Sequence, residues 1–290
     1  MTFDTVDSPS VQFLRDTAAK HFVCMSFRAL EPDGSSRFLY ASCFLVEVES
    51  HWFLVTAGHV ISDIRKGCAL GTTYSDFTLH DKLAGNQYPF GVPIPFDDDT
   101  WIVFDTQDAD IAATPLPWFF VNGLKAGGIA PIGEIAWGPP PFEDYDHWLL
   151  TGIAAESYER AGSQHLLKLS IVPLQPTQAP AGAPQVDASG VEGAIAADFP
   201  AQYGKIITQP GLDTAYVSDV EGMSGSPVWG VKAVDGKLKY WLLGIESSWF
   251  AASRTVKFHP SICFLTAFKL AIQRLNEGEG TDGSAGDSAA

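Results

Sequence analysis

From Phe22 to Leu174 the chain keeps returning to one device, a short apolar run closed by Gly, Pro, Asp or Ser. HFVCMSFRAL gives way to EPDGSS and then to RFLYASCFLVEV. HWFLVTAGHV, WIVFDTQDADIAATPL and HWLLTGIAAESYERAGSQHLLKLSIVPL follow. Such runs are rich in β-branched and aromatic residues, which fit a pleated surface, and the breaks between them are turn formers. Asp33-Gly34 between two runs is a hairpin signal, because glycine readily takes the left-handed conformation of a tight turn. A chain of this kind must pack strands on strands, so the expected class is all-β, a sandwich or a pair of barrels.

Length and composition narrow this further. At 290 residues the chain exceeds the usual single domain, which suggests two domains or one two-lobed unit. Hydrophobic residues make up 46% and charged residues 18%, a balance that supports a well-cored protein. With 18 basic against 34 acidic residues the formal charge is −16. Nucleic-acid backbones and anionic membranes need clustered Lys and Arg, so neither is an expected partner, and the acidic surface is read as a solubility device. No apolar stretch is long enough to span a bilayer. The start, MTFDTVDSPSVQFLRDTAAK, has no basic segment followed by an apolar run, so it does not read as a secretory signal. The four cysteines (Cys24, Cys43, Cys68, Cys263) are scattered, and three sit in apolar runs that suit buried free thiols. A cytoplasmic protein with reduced cysteines is expected.

Four segments depart from the strand pattern. Ser8-Pro9 opens an expected short helix. Residues 175–200, QPTQAPAGAPQVDASGVEGAIAADFP, are rich in Ala, Pro and Gly and read as a long surface loop. In SICFLTAFKLAIQRLN the apolar residues Ile262, Leu265, Phe268, Ile272 and Leu275 recur at steps of three and four, one face of a helix. From Asn276 onward the tail has no apolar pattern and reads as disordered.

Three stretches carry residues suited to acyl transfer. TAGHV holds His59, DADIAATPL holds Asp110, and GMSGSP holds Ser224. A hydroxyl that attacks an amide or ester must lose its proton to a neighbouring imidazole. That imidazole becomes cationic, and a carboxylate on its other nitrogen fixes the tautomer and stabilises the charge. The oxyanion formed on the substrate then needs preorganised donors, usually two backbone N–H groups. Gly222, two residues before Ser224, permits the close backbone turn such a site requires. Asp105 and Asp108 stand beside Asp110 and compete for the carboxylate role.

In their order His…Asp…Ser these motifs resemble the trypsin/chymotrypsin-like serine proteases, in particular bacterial trypsin-like members without disulfides. LVTAGHV is similar to that family's T-A-[AG]-H, DADIA to its D-[IL]-A, and GMSGSP to its G-x-S-G-[GS]-P. The resemblance covers roughly residues 22–275. It implies His59 as general base, Asp110 as orienting carboxylate, Ser224 as nucleophile, and the Gly222 and Ser224 amides as the oxyanion hole. It also implies two six-stranded antiparallel β-barrels with a C-terminal helix. Residues 1–20 would be an extension, 21–130 the first barrel, 131–275 the second barrel and helix, and 276–290 the tail. YWLLGIESSW is similar to the strand after the nucleophile, so Ser247, Ser248 and Trp249 would line the substrate cleft together with Ser218. With Ser218 six residues before the nucleophile, uncharged substrate side chains are implied. Met223 stands where digestive members have an aspartate that pairs with a new N-terminus, so zymogen activation of that kind is not expected.

The resemblance implies a serine endopeptidase acting on polypeptides, with no cofactor and no metal. Two other readings stay open: a latent or inactive protease-fold binding module opened by a protein partner, and an esterase that does not cleave peptides. Asp97-Asp98-Asp99 offers carboxylates, but without the ligand spacing of a calcium loop it reads as a solvated turn. Trp101, Trp118, Trp137 and Trp148 read as core or cleft-lining aromatics.

Overall fold

The computed structural model of the chain describes residues 13–14, 17–80, 91–105, 109–138, 142–161, 164–167, 169–177, 195–198, 204–207, 216–217 and 219–279. The chain is all-β in class, with two antiparallel sheets and few helices. The first sheet contains β1 (Phe22–Leu30), β2 (Ser36–Val48), β3 (His51–Thr56), β4 (Thr73–His80), β5 (Val92–Pro93), β6 (Ile102–Asp105) and β7 (Asp110–Pro115). Its order is β5-β4-β1-β2-β3-β7-β6. Next along the chain come β8 (His147–Gly152) and a separate hairpin of β9 (Tyr158–Ala161) and β10 (Gln164–Leu167). β11 (Leu169–Thr177), β12 (Ile195–Asp198), β13 (Gly204–Ile207), β14 (Tyr216–Val217), β15 (Pro227–Val234), β16 (Lys237–Phe250) and β17 (Thr255–Pro260) then complete the second sheet with β8. That sheet runs β12-β17-β16-β15-β8-β11-β13-β14, and β12 also pairs with β11, which links six of its strands in a ring of pairings. The described sheets thus hold seven and eight strands rather than six each, because the short strands β5, β13 and β14 add to them.

Among the described residues three α-helices have defined bounds, α1 (Gly58–Ala69), α2 (Trp118–Ala126) and α3 (Ser261–Glu279), and Phe13, Leu14 and Thr17 are also helical. α3 continues through Asn276 to Glu279, where the sequence reads as tail. Leu265 and Phe268 are buried on it and Ile272 packs partly against the core, as the spacing requires. Of the stretch 175–200, residues Gln175 to Thr177 end β11 and Ile195–Asp198 form β12, which corrects the reading of one continuous loop. A strand of Ile, Ala, Ala and Asp has little propensity of its own; its partners β11 and β17 supply the ladder. Ser8-Pro9, the tail beyond Glu279 and most of that stretch lie outside the described residues. Trp101 and Trp148 are buried, but Trp118 is largely exposed because α2 turns Val121 and Leu124 inward instead.

Strand alternation distributes the core. On β2, Phe44, Val46 and Val48 enter a cluster shared by both sheets, while Cys43 and Leu45 enter the core of the first sheet. On β15, Trp229 and Val231 join the shared cluster and Val228 faces the core of the second. Side chains of period two on strands buried on both faces produce this division. Phe264, Leu265 and Phe268 of α3 pack into the shared cluster, Phe268 stacking on Phe53 of the first sheet.

A buried polar link crosses the same seam. His21 Nδ1 lies 2.7 Å from the Ala130 carbonyl and Nε2 lies 2.7 Å from the Tyr240 hydroxyl. A neutral ring satisfies both, with Nδ1–H donating to Ala130 and the Tyr240 hydroxyl donating to Nε2. Burial lowers the His21 pKa to about 4, which keeps the ring in that state.

Candidate active site

β3 ends at Thr56 and α1 begins two residues later, with Ala57 extended at the N-cap. Gly58 makes the junction possible. A Cβ there would stand 2.1 Å from the Phe104 carbonyl oxygen and 2.9 Å from the Ile111 amide nitrogen. The first turn of α1 therefore lies directly against β6 and β7, and His59 is brought to Asp110 at the start of β7.

The two residues are joined twice. The His59 amide donates to Asp110 Oδ1 at 2.8 Å, and His59 Nδ1 donates to Asp110 Oδ2 at 2.7 Å. Asp110 is 7% exposed, while the His59 side chain keeps 35% of its surface open. The hydrogen bond that His59 donates to Asp110 raises the His59 pKa above its ordinary value, against the opposing effect of burial. Nδ1 is occupied, so Nε2 is the nitrogen left for chemistry. Asp105 pairs with Asp110 across β6 and β7 but its residue is exposed, and Asp108 lies outside the described residues.

Ser224 sits in a tight turn between β14 and β15. Gly222 and Gly225 on either side of it have φ of +83° and +89°, a region that strains any residue with a Cβ. The Met223 amide donates to Val220 and the Ser226 amide to Met223, closing the turn. Among the described residues the amides of Gly222 and Ser224 donate to no acceptor, and Ser224 is half-buried. A Cβ on Gly225 would stand 2.4 Å from both the Ser42 carbonyl oxygen and Thr56 Oγ1, and 2.9 Å from the Ala57 amide nitrogen. The serine turn is thus seated on the residues that lead into His59. Ser42 extends the contact between the sheets by accepting the Ile153 amide on its hydroxyl at 3.2 Å.

Glu246 of β16 completes the site, and the sequence reading passed over it. It is 1% exposed, its pKa is raised to about 8 by burial, and it senses the charges of His59 and Asp110. A side-chain hydrogen-bond interaction with the Ser224 hydroxyl draws that pKa partly back. The signal available in the sequence was a lone acidic residue in the apolar run WLLGIE. Of the cleft residues expected from the sequence, Ser247 is buried and its hydroxyl donates to the Lys257 carbonyl at 3.4 Å. Ser248 and Trp249 are half-buried, Trp249 packing against the second-sheet core beneath the Arg254 guanidinium. Ser218 lies outside the described residues.

Among the described residues no group of three His, Cys, Asp or Glu is placed to hold a metal ion. Asp97–Asp99 form a short turn in which the Asp97 carboxylate accepts the Asp99 amide and Asp98 pairs with Arg65 at 2.7 Å. No helix among the described residues is long and apolar enough to cross a membrane.

No family model matches the sequence, and no curated protein does. Solved structures of similar shape include the thermostable serine protease AL20 from an extremophilic microorganism. It shares 15% identity, with 84% of this chain and 91% of that one covered and a TM-score of 0.44. Protease Anisep from Arthrobacter nicotinovorans is 14% identical, covering 83% and 90%, at a TM-score of 0.42. A catalytically inactive tobacco etch virus protease bound to substrate is 12% identical, covering 86% and 80%, at 0.37. With TM-scores below 0.5, these likenesses add nothing to what the site itself carries.

Proposed function

We propose that the chain is a serine endopeptidase in which Ser224, His59 and Asp110 act together. The observation that carries the reading is the pair of hydrogen bonds that His59 donates to Asp110, near a half-buried serine in a glycine-flanked turn. Ser224 Oγ attacks the peptide carbonyl carbon as His59 Nε2 takes its proton. Asp110 holds Nδ1–H and stabilises the imidazolium. The oxygen of the tetrahedral intermediate is received by the Gly222 and Ser224 amides, each such donor being worth roughly 3 kcal/mol of barrier. His59 then protonates the departing amine, leaving an acyl-enzyme on Ser224. Water, deprotonated by the same imidazole, hydrolyses the ester and restores the hydroxyl.

Ser248 and Trp249 are proposed to line the substrate cleft. Ser247 supports it from behind, and Ser218 belongs to it by the resemblance. A reducing compartment, the cytoplasm, is the proposed location, supported by the buried free thiols of Cys24 and Cys43.

A fluorophosphonate probe tests the mechanism. It should label the purified protein covalently and fail to label the Ser224→Ala variant. Labelling retained in the variant removes Ser224 from the nucleophile role. An unlabelled wild-type protein would favour the binding-module reading, and labelling with ester but no peptide turnover the esterase reading.

A further inference from the structure

Ser42 stands on β2 between the buried residues Ala41 and Cys43, where a small apolar side chain would serve packing alone. It is fully buried and lies opposite Cys24 across the β1–β2 ladder. Cys24 belongs to an apolar cluster with Phe22, Ile153 and Leu169. A hydroxyl in such surroundings is destabilising unless it is bonded. Its bond crosses to the other lobe, the Ile153 amide donating to Ser42 Oγ at 3.2 Å. Ile153 lies just past the end of β8, beyond the ladders with β11 and β15, so its amide has no strand partner and the serine supplies one.

The carbonyl of the same residue serves the other half of the site. Thr56 Oγ1 donates to it at 2.9 Å, three residues before His59. Gly225, next to Ser224, is seated on that carbonyl and that hydroxyl together. On the opposite side, the strap of residues 152–156 cradles the serine turn. A Cβ on Gly152 would overlap Ser226 Oγ and stand 2.8 Å from Met223 Cε. The Ala155 amide donates to the Glu221 carbonyl at 2.7 Å, and a Cβ on Gly222 would stand 3.2 Å from that amide nitrogen. The Glu156 carboxylate accepts the Asp219 amide at 3.1 Å. The strap thus fixes how the Gly222 segment lies, and Ser42 fixes where the strap begins relative to His59.

We propose that Ser42 is a positioning residue for acyl transfer, its carbonyl held by the strand that leads into His59 and its hydroxyl by the strap that aims the Gly222 and Ser224 amides. This rests on the reading of Ser224 as the acylated residue. Ser42 touches no reacting atom and acts through Ile153. Without its hydroxyl the Ile153 amide is unbonded in a dry cluster, a state costly enough to displace the strap. A displacement of about 1 Å in a group that orients the reaction can lower turnover by about a hundredfold. The contact of His59 with Asp110 lies within the first lobe and is untouched by the change.

The test reads the oxyanion donors separately from the base. An acyl-amino-acid p-nitrophenyl ester is compared with its thiono analogue, whose sulfur replaces the carbonyl oxygen and accepts hydrogen bonds poorly. In Ser42→Ala, kcat for the oxygen ester is expected to fall by about tenfold or more while KM stays within about twofold. The ratio of oxygen-ester to thiono-ester turnover should fall with it, and the acid limb of kcat/KM should keep its position. Ser42→Cys, similar in volume but a weak acceptor, should behave in the same way. Leu169→Val loosens the same apolar cluster and leaves the link intact, so it should lower the melting temperature without changing that ratio. A turnover loss with an unchanged ratio, or an equal loss of ratio in Leu169→Val, overturns the proposal. Amide NMR in a Ser224→Ala background gives a second reading that needs no turnover. There, removing the Ser42 hydroxyl should move the Gly222 amide resonance and speed exchange of the Ile153 amide by about tenfold or more. An unmoved Gly222 resonance also overturns the proposal. If Gly222 and Ile153 respond while the wild-type protein turns over no ester, the positioning of the turn stands and the acyl-transfer reading is what fails.

Discussion

His59 can reach Asp110 because the residue before it has no side chain. With 2.1 Å between a notional Gly58 Cβ and the Phe104 carbonyl, even alanine forces β6 away from α1. At this scale three carboxylates in the sequence compete, and the pairing of β6 with β7 separates them: Asp110 is buried on the histidine while Asp105 is exposed. Asp110→Asn should therefore lower turnover of an active-site ester by about 10⁴-fold, whereas Asp105→Asn should leave it close to wild type. An equal loss in both variants would remove Asp110 from its proposed role. The pH profile follows from the same contact. His59 must be neutral to accept a proton in its proposed role as base, and its hydrogen bond to Asp110 raises its pKa. The acid limb of kcat/KM should thus lie above the ordinary imidazole value of about 6.5, and in Asp110→Asn it should shift downward.

Single strands and turns carry the next level. The serine turn is held by Gly222 and Gly225, both in the left-handed region, and Gly225 also faces backbone at 2.4 Å. Gly225→Ala combines a left-handed strain of roughly 1–2 kcal/mol with a steric contact that no rotamer relieves. It should lower the melting temperature and abolish fluorophosphonate labelling, while Gly236→Ala, in an open turn at the β15–β16 hairpin, should lower stability slightly and leave labelling intact. Labelling that persists in Gly225→Ala would show that the turn need not sit on Thr56 and Ala57. The hairpin of β1 and β2, the periodicity of α3 and the turn at Asp33-Gly34 are local in origin, and each was legible in the residues. β12 was not, because nothing in IAAD marks a strand until β11 and β17 stand on either side of it.

Over the whole molecule two buried titratable groups oppose one another. His21 is held at about 4 against 6.5, so its contribution to stability is present above pH 6.5 and is lost as the pH falls toward 4. Integrated over that shift, the loss is about 3 kcal/mol. Glu246 is held at about 8 against 4.5, so the folded state is unpenalised below pH 4.5 and loses stability as the pH rises toward 8, by an amount on the order of several kcal/mol. The melting temperature should pass through a maximum at mildly acidic pH. Glu246→Gln should flatten its alkaline limb and His21→Gln its acid limb, both read by calorimetry across pH 4 to 9. An alkaline limb unchanged in Glu246→Gln would show that this carboxyl is not buried as described.

What the sequence determined by itself was local. Short β-rich runs with turn residues between them impose an all-β chain, and a three–four spacing imposes the C-terminal helix, because both depend on near neighbours. The motifs around His59, Asp110 and Ser224 were visible for the same reason. Tertiary structure decided which carboxylate meets the histidine, how the serine turn rests on Ala57, and that six strands of the second sheet join in a ring. It also decided the state of Glu246, since an acidic letter in the apolar run WLLGIE hints at burial but does not establish it. Burial belongs to the packing of β15, β16 and β17 around it, and only there does an ordinary glutamate become a carboxyl with a pKa near 8.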